Sequence, residues 1–231
     1  MKTLTTILLS LCFLGASASG LVKYELKVNE FHELKVVDAI RVVYSSSTDS
    51  AGMAVFTCPS EQASALMFNN KGGKLSMQIS TESVGLKDLP VVYVYSSYLN
   101  KIENSGDSLV KALRIAECPK FTATLIGNGR LSIPDIKATE VEAAIKTGNG
   151  TLVIGGKCQK ANIKFVGTGV IQADELEAAD VSVKAGGTGS IGVWPQKELS
   201  VSGVGSTKVY YKGNPEIKNR AAGVKTLPLE Q

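Results

Sequence analysis

The chain has 231 residues and is mildly basic, with 25 Lys and Arg against 21 Asp and Glu and a formal net charge of +4. The lysines are scattered, and no Lys- or Arg-rich run is interleaved with aromatic residues, so we expect no nucleic-acid partner. Gly occurs 23 times and aromatic residues make up 6%, a composition that favours an all-β protein with many turns.

The N-terminus predicts a secretory signal peptide over residues 1–18. Lys2 supplies a positive charge, Leu4–Leu14 is apolar, and Ala16–Ala18 has the small residues of a cleavage site. The apolar stretch is too short to span a membrane, and the sequence contains no longer one. We therefore expect an exported protein in the periplasm, on the outer surface or secreted, in which residues 19–30 are an N-terminal segment.

Residues 31–103 predict an irregular first part of the single domain that spans residues 31–215. The stretch 31–44 alternates apolar and polar side chains and is interpreted as a pair of strands around a turn at Asp38-Ala39. Lys71–Lys74 contains the Gly-Gly pair of a tight turn. We expect this part to cover the N-terminal edge of the fold, since an open edge is a template for aggregation.

Residues 104–215 contain a Gly-x-Gly element that returns at nearly regular intervals. Its second glycines are Gly106, Gly129, Gly150, Gly169, Gly189 and Gly205 if Asn104-Ser105-Gly106 is taken as a degenerate first copy. A period of roughly 20 residues is typical of stacked repeats, and the sequence therefore predicts a parallel β-helix with glycines at its corners. The corner glycines are Gly106, Gly127, Gly129, Gly148, Gly150, Gly167, Gly169, Gly187, Gly189, Gly203 and Gly205.

Apolar residues at one repeat position predict a continuous core. Two residues after the second glycine, four of the five full Gly-x-Gly copies have Leu or Ile, and only the last full copy differs, with Thr207. An extra residue at Thr147 indicates a bulge. Pro215 has no N–H to donate and is expected to end the stack, with residues 216–231 as a tail or cap.

Gly-x-Gly elements also occur in loops that bind phosphate, where a helix must follow the glycines. Here each copy is followed by a strand-like run, for example Thr151–Ile154. The glycines are therefore interpreted as structural corners, and no nucleotide or other cofactor is expected.

Three cysteines lie beyond the predicted signal peptide, namely Cys58, Cys118 and Cys158. Cys118 precedes Gly129 by the same interval as Cys158 precedes Gly169, so the two cysteines occupy equivalent positions two repeats apart. Two repeats place their backbones roughly 10 Å apart, whereas a disulfide requires Cα atoms within about 7 Å. Both cysteines are predicted to be free, small buried side chains.

The sequence resembles the auto-transporter adhesin "head GIN" domain proteins, which are common in secreted Bacteroidetes proteins. The resemblance covers roughly residues 30 to 220 and depends on the repeated glycine corners and on three short segments. These segments are the opening Phe31–Val42, the turn Gly72–Leu75 and the closing Tyr211–Pro215. The resemblance implies a fold similar to right-handed parallel β-helices and a role in adhesion.

One feature departs from the corners of that family, which usually read Gly-Ser-Gly-Asp. Here only Ser105-Gly106-Asp107 keeps the acidic residue, and the corresponding later positions are taken as Arg130, Thr151, Val170, Ser190 and Ser206. A ladder of carboxylates that could hold Ca²⁺ is therefore not expected, and no metal site is predicted.

The expected function is a non-catalytic scaffold that presents a surface to a glycan or a protein. Trp194 is a weak candidate for stacking on a sugar ring, although packing at a corner is the other interpretation. The alternatives are a polysaccharide lyase or hydrolase and a purely structural component of the cell envelope. An enzyme would need paired carboxylates on neighbouring repeats, and the candidate acids are scattered: Asp107, Asp135, Asp174, Glu175 and Asp180.

Overall fold

The computed structural model describes residues 20–83, 85–86 and 88–229, which form a β-solenoid of about six turns. Its helical residues are the short helix α1 (Ser60–Ala63) and one 3₁₀ turn at Thr81–Ser83. The strands are β1 Leu21–Lys27, β2 Glu33–Val36, β3 Val42–Ser46, β4 Met53–Pro59, β5 Leu66–Lys71, β6 Lys74–Ile79, β7 Val92–Ser96, β8 Lys101–Asn104, β9 Leu109–Arg114, β10 Cys118–Ile126, β11 Arg130–Thr147, β12 Thr151–Phe165, β13 Val170–Ala185, β14 Ser190–Gly203, β15 Lys208–Tyr211, β16 Glu216–Asn219 and β17 Lys225–Pro228.

The long strands β11 to β14 form the regular part of the solenoid. Each bends around the stack and pairs in parallel with the next. Leu131 lies opposite Leu152, Leu152 opposite Ile171, and Ile171 opposite Ile191. The prediction of a parallel stack, with one coil for each of these Gly-x-Gly copies, is confirmed.

The first coils are stacked out of sequence order. Strand β2 pairs in parallel with β6 and β8, and β3 pairs in parallel with β7 and β9. The coil made by β2 and β3 therefore lies between the coils that follow it in the chain. Residues 31–44 contain two strands around a bend at Asp38-Ala39, as expected, and Asp38 has a φ of 67°. The two strands do not pair with each other, so the interpretation as a strand pair is wrong in that respect.

Antiparallel strands cover the N-terminal end of the stack. Strand β4 pairs with β7, β1 pairs with β4, and β5 forms a hairpin with β6 across the expected turn at Gly72-Gly73. Phe56 joins the two sides, with its ring centroid 5.2 Å from that of Tyr24 and 6.0 Å from that of Phe68. These stacked rings close the apolar interior at this end of the molecule.

The stack continues beyond Pro215, so the expectation that this proline ends it is wrong. Strand β16 pairs with β14, and β17 pairs with β15. Pro215 lies in the connection between β15 and β16, where the chain needs no ladder donor at that position. Residues 216–228, expected as a tail or cap, form a last coil that buries Val224.

One aliphatic ladder runs through the whole interior. Its members are all fully buried and are paired from coil to coil in the order Val92, Val42, Val110, Leu131, Leu152, Ile171, Ile191 and Val209. The break expected at Thr207 does not occur, since Ile191 pairs with Val209. Thr207 lies at the corner, where its buried hydroxyl donates a hydrogen bond to the Gly187 carbonyl at 2.8 Å.

In the first and last copies, the corner positions that stack in the structure differ by two residues from those aligned by sequence. Leu125 lies opposite Asn104 and Arg130 opposite Leu109, so Gly106 is equivalent to the first glycine Gly127. At the other end, Gly203 is paired with Ala185 inside β14, and Gly205 stacks on Gly187. The acidic Asp107 is consequently equivalent to Asn128, not to Arg130.

The two glycines of a corner serve different purposes. The first glycine has a positive φ in several copies, for example 89° at Gly148, which an L side chain rarely adopts. The second, such as Gly150, lies so close to the previous coil that an added Cβ would be 2.6 Å from the Gly129 carbonyl oxygen. The bulge predicted at Thr147 is confirmed, because Leu125 pairs with Ile145 and the following residue pairs with Thr147.

Candidate binding surfaces

Trp194 lies on β14 and is half-buried. The Nζ atom of Lys212 sits 5.4 Å from the centre of the indole ring, in the position of a cation–π contact. Lys212 is held there by Glu175, whose Oε1 atom is 2.5 Å away, with Asp174 at 4.0 Å. One face of the indole is therefore covered by an ammonium group, and a sugar stacking on that face must displace it.

The structure brings two of the candidate acids together and leaves the other three apart. Asp174 and Glu175 share Lys212, whereas Asp135 and Asp180 are exposed elsewhere on the surface. Asp107 accepts a hydrogen bond from the backbone N–H of Asn128 at 3.2 Å. Asp174 and Glu175 therefore form an ion-paired cluster with Lys212. The five candidate acids do not converge on one cleft.

Most close ion pairs of the described residues link Lys and Glu side chains on neighbouring coils. These contacts lie on the outside of the solenoid, where each contributes at most about 1 kcal/mol. The pairs between neighbouring coils are Lys35–Glu103, Lys101–Glu33, Lys120–Glu140, Lys120–Glu142, Lys157–Glu177 and Lys218–Glu198, whereas Lys212–Glu175 spans two coils.

Glu103 is the most enclosed of these carboxylates. Burial acts to raise its pKa, but hydrogen bonds from Lys35 and Ser105, together with the positive charges of Lys35 and Lys146, outweigh that effect, so the pKa of Glu103 lies below its usual value. The Lys35 ammonium approaches Glu103 Oε1 at 2.9 Å. A carboxyl group held ionised in this way accepts hydrogen bonds and is a poor proton donor at neutral pH.

The described cysteines are buried and unbonded. Ala138 pairs with Cys118 on one side and with Cys158 on the other, so one coil separates the two cysteines. Cys158 lines an open groove of about 360 Å³ together with Lys157 and Glu177. Burial raises the pKa of the Cys158 thiol to about 11, which keeps it protonated and unreactive as a nucleophile at neutral pH.

A sheet face near the N-terminal end carries two outward tyrosines, and sequence reasoning did not find it. Five outward side chains of β3, β4 and β7 form this tyrosine face: Val43, Met53, Val55, Tyr93 and Tyr95. Tyr93 pairs with both Val43 and Val55 and is 43% exposed. The alternation in Tyr93-Val94-Tyr95 signals two outward tyrosines, but their neighbours are set by the insertion of β3 and the antiparallel β4.

The tyrosine face has an apolar centre and a charged rim. Along one side, β9 places Lys111 beside Val43 and Arg114 beside Ser45. Along the other side, β1 places Glu25 beside Val55 and Lys27 beside Met53. Aromatic and aliphatic side chains surrounded by charged ones are the usual composition of a surface that binds a partner.

The fold and these surfaces define a class of protein, a parallel β-solenoid with outward tyrosines on one sheet face. Within the described residues, the structure shows no helix long and apolar enough to cross a membrane. In the same residues, no three His, Cys, Asp or Glu side chains are placed to hold a metal ion.

The chain belongs to the family described as "putative auto-transporter adhesin, head GIN domain", whose model matches residues 30–215. This match confirms the resemblance inferred from the glycine corners and the two ends of the domain. A search of curated proteins returned no match.

Solved structures similar to the chain come from Bacteroidetes. A "putative adhesin" from Bacteroides fragilis superimposes with a TM-score of 0.80 at 20% identity, covering 92% of this chain and 98% of that one. A "putative adhesin" from Parabacteroides merdae gives 0.70 at 16% identity with the same coverage. A "putative lipid binding protein" from Parabacteroides distasonis gives 0.69 at 16%, also over 92% and 98%. At these identities the similarity establishes the fold.

Proposed function

We propose that this protein is an exported, non-catalytic adhesion scaffold that binds a surface glycan or protein. The observation that carries this proposal is the tyrosine face, an apolar centre with a charged rim on paired strands. Strand residues need little ordering on binding, so less of the contact energy is lost to conformational entropy. Tyrosine suits both kinds of partner, because its ring packs on apolar surfaces and its hydroxyl hydrogen-bonds.

Several observations support a binding role over the polysaccharide-processing alternative. The acidic residues suggested by the sequence are spread over the surface, and Asp174 and Glu175 are neutralised by Lys212. The family description refers to adhesion. Export rests on the N-terminal sequence alone, since residues 1–19 lie outside the described part of the chain.

The name of one similar structure raises lipid as a ligand. In this chain the interior is filled by stacked side chains, including the fully buried rings of Phe121 and Phe165. A lipid would therefore have to bind on the outside of the solenoid, where the tyrosine face offers grouped apolar side chains. The double variant Tyr93→Ala/Tyr95→Ala, assayed with lipid vesicles, tests lipid binding at this face.

The experiment is a binding screen of the chain without residues 1–19 against glycans and extracellular matrix proteins, combined with assays for lyase and hydrolase products. We expect at least one partner, no release of reducing ends or unsaturated sugars, and a loss of binding of about tenfold or more in Tyr93→Ala/Tyr95→Ala. Ile217→Ala, which truncates an exposed side chain on β16 away from this face, is the control and should bind normally.

Two outcomes would contradict the proposal. Turnover of any polysaccharide would make the protein an enzyme. Failure to bind any glycan, protein or lipid, together with co-purification of envelope components, would favour a purely structural role. Binding that persists in the tyrosine variant would move the site elsewhere on the surface.

A further inference from the structure

The coils bring one set of residues to a single edge of the solenoid, the edge that carries the glycine corners. We define this glycine edge as residues 123–132, 144–153, 163–172, 183–192, 201–210 and 219–228, which run from shortly before each corner to shortly after it. Their corners stack directly, as the close approaches between glycines of successive coils show. These segments are distant in sequence and adjacent only in the folded chain.

The glycine edge contains cations and no acidic residue. Its charged residues, all exposed, are Arg130, Lys146, Lys164, Lys184, Lys208, Arg220 and Lys225. The chain as a whole has 21 acidic residues and a net charge of only +4, so seven cations without one acid in these segments is a strong segregation of charge. The acids of the same coils lie outside these segments, and Asp174 approaches the border of the edge at Gly192.

None of these cations has a carboxylate partner within 4.0 Å in the described part of the chain, whereas seven other lysines do. Lys164 and Lys184 lie directly opposite one another on β12 and β13, and Lys208 lies opposite Lys225. Like charges in register about 4.8 Å apart repel each other. The adjacent pair Lys137 and Lys157, by contrast, shares its groove with Glu117 and Glu177.

The cations flank a polar strip. Lys146, Lys164, Lys184 and Arg220 precede the corners, and the other three follow them. Between the two rows, the exposed middle residues of the corners are neutral hydrogen-bonding side chains: Asn128, Asn149, Thr168, Thr188 and Ser206. The strip stops at Asp107 of the preceding coil. Amides and hydroxyls can both donate and accept hydrogen bonds, which suits a hydroxylated ligand whose acidic groups reach the cations on either side.

We propose that the glycine edge binds an acidic polysaccharide, a linear chain with carboxylate or sulfate groups that lies along the solenoid axis. The unpaired cations supply charge complementarity. Because they recur from coil to coil along the axis, they can contact successive anionic groups of an extended polymer. A single-stranded nucleic acid would need a series of aromatic side chains on which successive bases stack, whereas the aromatic residues of these segments are the buried Phe165 and the half-buried Tyr210. An anionic membrane would need large apolar anchors, and the exposed apolar residues before the corners are Val166 and Val204.

This inference names a ligand class for the proposed binding function but places it on a different surface from the tyrosine face. The test uses the chain without residues 1–19 and titrates it with heparin, polygalacturonate and the uncharged polysaccharide dextran. We expect binding to an acidic polymer, none to dextran, and weakening as salt is raised, because exposed charges are screened. Anionic vesicles and single-stranded DNA are included as competing polyanions.

The deciding variant is Lys164→Gln/Lys184→Gln, and its matched control is Lys160→Gln/Lys197→Gln, which removes two exposed lysines outside the glycine edge. The edge variant should lose about tenfold in affinity and the control less than twofold. Thermal melting should show that the edge variant is no less stable than the wild type, since its substitutions relieve repulsion between like charges.

Equal losses in the two variants, or tighter binding to vesicles or DNA than to either acidic polysaccharide, would overturn the inference. No binding to heparin or polygalacturonate would overturn it as well. If another glycan or a protein still binds through Tyr93 and Tyr95, the proposed function stands and only this inference fails. If nothing binds, both fail.

Discussion

At the residue scale, alternation along each strand decides which side chains enter the core. Phe165 is fully buried on β12, between Ile145 of the previous coil and Ala185 of the next, while its neighbour Lys164 is exposed. The interior is close-packed, so the volume of each inward residue matters. An outward residue of the same strand contributes little beyond its surface charge.

We therefore expect Phe165→Ala to lower the free energy of unfolding by about 3–5 kcal/mol, because it opens a cavity between two coils. Lys164→Ala should change it by less than about 0.5 kcal/mol. Denaturant unfolding of both variants measures the two values. Equal effects would mean that the inward and outward sides of β12 have been exchanged.

Close stacking of coils gives a second residue-scale prediction. A Cβ added at Gly187 would overlap the Gly167 carbonyl of the previous coil, whereas one added at the adjacent Gly186 would meet its nearest atoms at 3.8 Å. We expect Gly187→Ala to destabilise the protein by about 1–3 kcal/mol, as overpacking does. Gly186→Ala is the control and should be nearly neutral. Matching melting temperatures for the two variants would contradict the requirement for glycine at the corner.

At the element scale, the ends of the solenoid and its middle depend on different contacts. A coil in such a stack touches only its neighbours, so stability is local and an end can loosen without the rest. At the N-terminal end, β1, β4 and β5 are held together by the stacked rings of Tyr24, Phe56 and Phe68. The coils of β12 and β13 make no contact with that cluster through their pairings.

Phe56→Ala should accordingly release the end and spare the middle. Hydrogen exchange followed by mass spectrometry should show faster exchange of β1, β4 and β5, while β12 and β13 keep wild-type protection. Phe165→Ala serves as the comparison, since its faster exchange should centre on β12 and its neighbours. Uniformly faster exchange after Phe56→Ala would show that the solenoid unfolds as one cooperative unit.

At the scale of the whole molecule, the solenoid converts a sequence period into surfaces that run along its axis. Each outward position recurs once per coil, so the side chains at equivalent positions of successive coils form a row along the axis. Lys and Glu in neighbouring coils form the paired rows, as in Lys120–Glu140 and Lys157–Glu177. Where neighbouring coils place two lysines side by side with no acid between them, as at Lys164 and Lys184, positive charge accumulates on one edge.

The sequence alone determined the regular part of this molecule. Apolar alternation and the nearly regular return of the glycines defined the parallel coils, the inward position of Phe165 and the separation of Cys118 from Cys158. These features are local or repeat at a fixed interval. Their physical cause, burial of one side of each strand and a corner too tight for a Cβ, acts within one coil and its immediate neighbour.

Only the tertiary structure decided the alignment of the end copies, the order of the first coils and the surfaces that result. Shifting Gly106 and Gly205 by two residues keeps the same alternation, since a strand repeats every two residues, so the pattern could not distinguish the two alignments. The placement of β3 between β7 and β9 is a long-range pairing that leaves no periodic signal. The tyrosine face depends on that pairing, and the charge of the glycine edge depends on segments that meet only when the coils stack.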